Sequence, residues 1–241
     1  MRLRQLVVAT TLGSIALGVQ AAPAAPACDY RIDAELSVSH ERVQLIGRGH
    51  RYTLTGDRLL RDGRELALEG ERRRDAAAYR RGIETLVPAV SEIAVRSALL
   101  ALESLAVVAA GLSGDDSAIV RAVERYERVS LQLRLQLDGR RLPPGPALRG
   151  TALEDEIGAL AADSAGQLAG GIASFIARIV FDPDAAQARG EYLERLVERR
   201  IAPRADALEA AADAICVQLR ELDTLEERLG AIDVIRPDTS I

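Results

Sequence analysis

Residues 30–38 read Tyr30-Arg31-Ile32-Asp33-Ala34-Glu35-Leu36-Ser37-Val38. Apolar and polar side chains alternate without a slip, so Tyr30, Ile32, Ala34, Leu36 and Val38 share one face and Arg31, Asp33, Glu35 and Ser37 the other. This is the period of a strand with one face on a core. Short runs follow at 43–46, 51–54, 58–60 and 65–68, separated by Gly47/Gly49, Thr55-Gly56-Asp57 and Asp62-Gly63 at hairpin spacing. An antiparallel meander within residues 22–70 is the expectation, built from local contacts.

After Gly70 the pattern turns helical. Asp75 is placed to cap a helix whose apolar positions are Tyr79, Ile83, Leu86 and Val87. Pro88 is expected to kink or restart it, and the apolar stretch from Pro88 to Leu112 continues it. Glu92, Arg96 and Glu103 interrupt that stretch, and its longest uncharged run, Ser104 to Gly114, is too short to span a bilayer. A helix in a protein core is therefore expected there. Residues 129–137 alternate as a strand would, yet consist of Leu, Gln and Arg, which favour helix. Continued helix is the preferred reading, with strand as its alternative.

A Pro-rich loop at 139–150 divides the helical region 71–232. Thr151 and Glu154 then have capping-box spacing. Gly158, Ala162, Gly166, Gly170 and Ser174 recur every four residues, a ladder of small side chains that lets helix backbones pack closely within a bundle. Homodimer contact and membrane insertion are the other uses of such a ladder. The last helix carries Leu208, Ala212, Ile215, Leu219, Leu222 and Leu225 at helical spacing, and residues 233–241 read as a flexible polar tail. The fold class is α+β, a small N-terminal antiparallel β-meander followed by a mainly α-helical bundle.

Residues 1–21 have the layout of a signal peptide. Arg2 and Arg4 precede an apolar run, and Val19-Gln20-Ala21 offers a cleavage site. A periplasmic location follows as an expectation. Two cysteines in an oxidising compartment pair with each other, so Cys28 and Cys216 are expected to tie the first strand to the last helix. Closing so long a loop is worth about 5 kcal/mol in the chain-entropy model. Lipidation of Cys28 is disfavoured because Ala25-Pro26-Ala27 lacks the usual Leu. A redox role lacks the C-x-x-C spacing.

The order of these features, Cys28-Asp29 opening an alternating strand, a Gly-turn meander, Tyr79 before Leu86-Val87-Pro88, Gly170-Gly171-Ile172 and Cys216 on the final helix, resembles the YggN-like family of uncharacterised proteobacterial periplasmic proteins. The resemblance spans essentially the whole mature chain, departs in its absent lysine and in the loop around Pro143, and implies a periplasmic location and the cysteine pair. It implies no activity and no catalytic residues.

Composition removes several chemistries. Of the 241 residues, 48% are hydrophobic and 28% charged, which is globular. All 31 basic residues are arginine, so P-loop lysines and Schiff bases are absent. The net charge of −5 grows more negative once Arg2 and Arg4 leave, which disfavours nucleic acid. His40 and His50 are the only histidines, and their approach across neighbouring strands, with Glu41, is the one metal arrangement on offer. Two histidines in surface loops are the simpler reading, and no metal, cofactor or catalytic residue is expected. Arg72, Arg73, Arg74, Arg80 and Arg81 form the densest basic cluster, interleaved with Glu69, Glu71 and Asp75 as in a salt-bridged helix start. The expectation is a non-enzymatic envelope scaffold or interaction protein, with other periplasmic or envelope proteins as partners and no transmembrane span in the mature chain. The alternative is a periplasmic carrier whose sheet and Pro88–Leu112 helix enclose an apolar or lipid-like ligand.

Overall fold

A computed structural model describes residues 28, 30–113, 130–131, 134–135, 137–144 and 182–238. The expected signal peptide, the small-residue ladder from Gly158 to Ser174 and half of the Pro-rich loop lie outside them. The chain is α+β as expected: among the described residues it has eight short strands, a long helix, and two further helices.

The alternating stretch is two strands, not one: β1 (Tyr30–Ile32) and β2 (Glu35–Ser39). The meander continues through β3 (Arg42–Gly47), β4 (His50–Thr55), β5 (Arg58–Arg61) and β6 (Arg64–Glu65). The face alternation nonetheless holds across the break. Ala34 and Leu36 are buried, and Tyr30, Ile32 and Val38 pack against the same core. The break arises because the chain changes partners at Asp33 and Ala34. A Cβ on Gly47 would sit 2.6 Å from the Asp33 carbonyl oxygen, so only glycine lets β3 end there.

The Pro-rich loop also gives a strand. β7 (Arg141–Leu142) pairs with β2, closing the sheet order β6-β5-β4-β3-β2-β7. Edge strands tolerate neighbouring prolines because only one side needs hydrogen bonds. Leu142 is buried, which is what draws this segment in. Of the described residues of the ambiguous stretch, Ser130, Leu131, Arg134 and Leu135 are helical and Leu137 is not.

Helix α1 (Gly70–Ser113) runs through Pro88 without ending. At 44 residues it is about 66 Å long. Asp75 does not cap it: the helix begins five residues earlier, at Gly70, and the Asp75 carboxylate instead accepts both guanidinium bonds from Arg228 at 3.1 Å. Tyr79, Ile83, Leu86 and Val87 are all fully buried. Among the described residues α1 is the one helix long and apolar enough to cross a membrane by length and composition. Its first half lies instead on the sheet, in one core with β2–β5.

Helices α2 (Pro183–Arg200) and α3 (Ala202–Leu229) turn at Ile201, where Glu103 of α1 meets Arg200 and Arg204. α3 ends at Gly230, whose left-handed φ of 63° and N–H bond to the Glu226 carbonyl form a helix C-terminal cap. The segment read as a flexible tail is not one over its first residues. Ile232, Val234 and Ile235 belong to the core, and β8 (Ile235–Pro237) pairs antiparallel with β1. Burying three β-branched side chains outweighs the polar residues Asp233 and Arg236 between and beyond them.

Candidate functional site

α1 and α3 pack side by side where Gly82 faces Leu222: a Cβ on Gly82 would lie 2.6 Å from a Leu222 methyl. Gln218 donates to the Gly82 carbonyl at 2.8 Å and to the Thr85 hydroxyl at 2.5 Å. Further along α3 the Glu226 side chain enters the core and is 3% exposed. Its Oε1 accepts the Tyr79 hydroxyl proton at 2.5 Å, and its Oε2 accepts the backbone N–H of Val234 at 2.7 Å and of Ile235 at 3.1 Å. These bonds satisfy two buried amides that have just left a helix, which is why a carboxyl is tolerated there.

Burial pushes the Glu226 carboxyl up to about 7, against the opposing pull of the Tyr79 and backbone hydrogen bonds. Burial and the nearby Glu226 raise the Tyr79 phenol well above its ordinary value. The pair can hold a proton near neutrality. Sealed in the core, it cannot touch a substrate.

A second candidate is an open groove of about 380 Å³ lined by Asp57, Arg58, Glu65–Glu69 and Arg73. Its charges pair with one another, Arg58 with Glu65, and Arg73 with Asp57 at 3.5 Å. The Arg58 bond holds the Glu65 carboxyl below its ordinary value. Guanidinium groups already engaged this way offer little to an anionic ligand.

Cys28 and Cys216 are joined, with their Cα atoms 5.6 Å apart across 188 positions. His40 and His50 are not brought together. His40 sits in the turn before β3 and His50, expected in a loop, opens β4 beside the other end of β3, where its Nδ1 lies 2.8 Å from Asp62 Oδ2 instead. A strand of that length separates its ends by about 20 Å, too far for a shared metal. Among the described residues no cluster of metal-ligating side chains occurs. In the basic cluster Arg80 pairs with Glu84 and donates to the Gly56 carbonyl at 3.1 Å, so part of it fastens α1 to the β4–β5 turn.

Glu226 and Gly82 escaped the sequence reading. Gly82 carried a signal, being a glycine inside a helical run. Glu226 carried none, since it sits among Glu221, Asp223 and Glu227, and only the return of residues 232–235 distinguishes it.

These features define a disulfide-closed α+β protein whose first and last strands pair. Residues 28–234 match the family described as a protein of unknown function (DUF2884), and the chain belongs to that family. The match opens at Cys28 and closes at Val234, the segment that carries both cysteines and the carboxyl's first amide partner. No curated protein and no solved structure matches the chain.

Proposed function

We propose that the protein is exported to the periplasm and acts without catalysis, as an envelope scaffold or interaction partner for other exported proteins. The observation that carries this reading is the filled interior of the sheet. Leu36, Val43, Leu45, Leu54 and Leu59 on the strands, and Tyr79, Ile83, Leu86 and Val87 on α1, are all 0% exposed. The sheet and α1 close on each other in one core, which supports a role carried by the outer surface. The leader at residues 1–21, the Cys28–Cys216 bond and the resemblance to the YggN-like family support the compartment.

A carrier reading draws on the apolar part of α1, of which a third is buried in its most apolar window. Native mass spectrometry of protein purified from periplasm without detergent separates the two. A bare oxidised monomer or dimer, with cross-linked protein partners in cells, is the expected result. A retained adduct of lipid mass overturns it in favour of the carrier. Recovery of the protein in the cytoplasm overturns the location.

A further inference from the structure

We infer that the outer face of the six-stranded sheet, turned away from α1, is a docking surface for an acidic patch on another exported protein. This rests on the scaffold reading above and names its surface and the chemistry of the partner.

Pairing register decides what the face carries. Leu36, Val43, Leu45, Leu54 and Leu59 are buried in the core shared with α1, so their neighbours along each strand project to the other side. One row of partners across the sheet runs Arg141, Ser37, Gln44, Thr53 and Leu60. In the next row Ile46 stands between Glu35 and Arg51, and on the opposite side Arg42 faces Ser39. Arg42, Arg51 and Arg141 are exposed, and Ile46 is 42% exposed.

The chain carries a net charge of −5, yet this face is basic. Arg58 on the same face is matched by Glu65, and Arg48 in the β3–β4 turn by Asp233. Among the described residues Arg42, Arg51 and Arg141 have no carboxylate partner, and Glu35 is the one acid on this face outside an ion pair. Strand spacing and rise set the three arginines about 12–16 Å apart, which suits several carboxylates on one surface better than a single small anion. A free guanidinium takes a carboxylate through two parallel bonds.

The rest of the face selects a protein over other polyanions. Between the arginines lie Ser37, Gln44 and Thr53, uncharged hydrogen-bonding side chains, with Ile46 as an apolar anchor. Arginine, neutral polar groups and an apolar anchor together are the mixture of a protein–protein contact. A nucleic acid strand would find no aromatic ring there on which to stack a base. An anionic bilayer would meet Glu35 directly beside Ile46, the one large apolar side chain exposed on this face among the described residues.

Titration of the full mature protein with polyglutamate, followed by amide NMR, tests the face. The Gln44, Ile46 and Thr53 amides are expected to shift, and affinity to fall on the order of tenfold in an Arg42→Glu, Arg51→Glu, Arg141→Glu variant. Arg→Gln at the same three positions, gentler on the sheet, should give a smaller loss in the same direction. An Arg72→Glu, Arg74→Glu, Arg81→Glu variant makes the same change in charge on exposed, equally unpaired arginines of α1 and should bind like wild type. Equal loss in the two charge-reversed variants, no shift on the sheet, or no binding overturns the proposal.

In cells, a photo-cross-linking residue in place of Ile46 should capture exported proteins, and the capture should be lost with the three sheet arginines. Capture only from the same residue in place of Val217, exposed on α3, overturns the sheet face and leaves the scaffold reading standing. Capture from neither position overturns both. Sheet-dependent binding to phosphatidylglycerol vesicles without polyglutamate binding would assign the face to a membrane. A dimer that the sheet variant dissolves would assign it to a second copy of the chain. Either result overturns the acidic partner.

Discussion

Strands β2 to β6 are joined by two-residue turns, whereas β1 and β8 meet from opposite ends of the chain, residues 30–32 against 235–237. Turn chemistry decides the first arrangement. At Arg48-Gly49 both residues have positive φ, 53° and 81°, the form that matches the twist of a tight hairpin. The second arrangement has no local turn to decide it, and ordering it costs the entropy of a loop that spans the chain. It is held by long-range devices, the Cys28–Cys216 bond and the ion pairs of Arg48 with Asp233 and of Arg236 with Asp33, while the Glu226 carboxyl fixes the approach to β8 locally. Local pairing needs hairpin residues, and distant pairing needs fasteners.

The largest change that would sharpen this contrast is Cys216→Ser, expected to cost about 4 kcal/mol by denaturant unfolding because the open chain gains back its loop entropy. It should also expose a reactive thiol at Cys28, and no difference from wild type towards a thiol reagent would contradict the bond. Leu45→Ala strikes the meander instead. Leu45 is fully buried, and its truncation should lower stability by about 3 kcal/mol while leaving the disulfide intact.

Gly82→Leu should cost about 2 kcal/mol, since a Cβ there already lies 2.6 Å from a methyl of the buried Leu222, which must repack. An unchanged denaturation midpoint would show that α1 and α3 can separate there without loss. For Glu226 the sign follows from its raised carboxyl: its contribution declines as pH rises through about 7. Between pH 5 and pH 8 the wild type should therefore lose roughly 2 kcal/mol relative to Glu226→Gln. Smallest is Arg48→Ala, which removes an exposed pair with Asp233 and should cost under about 1 kcal/mol, less at high salt.

What could be read from the sequence follows the same division. The alternation from Tyr30 to Val38, the glycine turns, and the α1 positions Tyr79, Ile83, Leu86 and Val87 are short-range patterns, and the structure buries the residues they mark. On α3, Leu219 and Leu222 are buried and Ile215 and Leu225 pack against the core, whereas Ala212 is exposed, because only the C-terminal half of the expected stripe reaches the sheet. The Cys28–Cys216 pairing was legible because two cysteines leave one choice. β7 and β8 were not. Each is only two or three residues long, and a strand that short is specified by the partner waiting for it and not by its own period. Glu226 was hidden for a related reason, since its role depends on amides eight and nine positions away.

The central claim is that the disulfide fastens the pairing of the chain ends while the meander holds by itself. Hydrogen exchange on oxidised wild type and on a Cys28→Ser, Cys216→Ser double variant tests it most directly. The account predicts that protection of the Asp33 amide falls further than that of the amides in β3 and β4. Parallel loss at both sites, or no loss at Asp33, would contradict it.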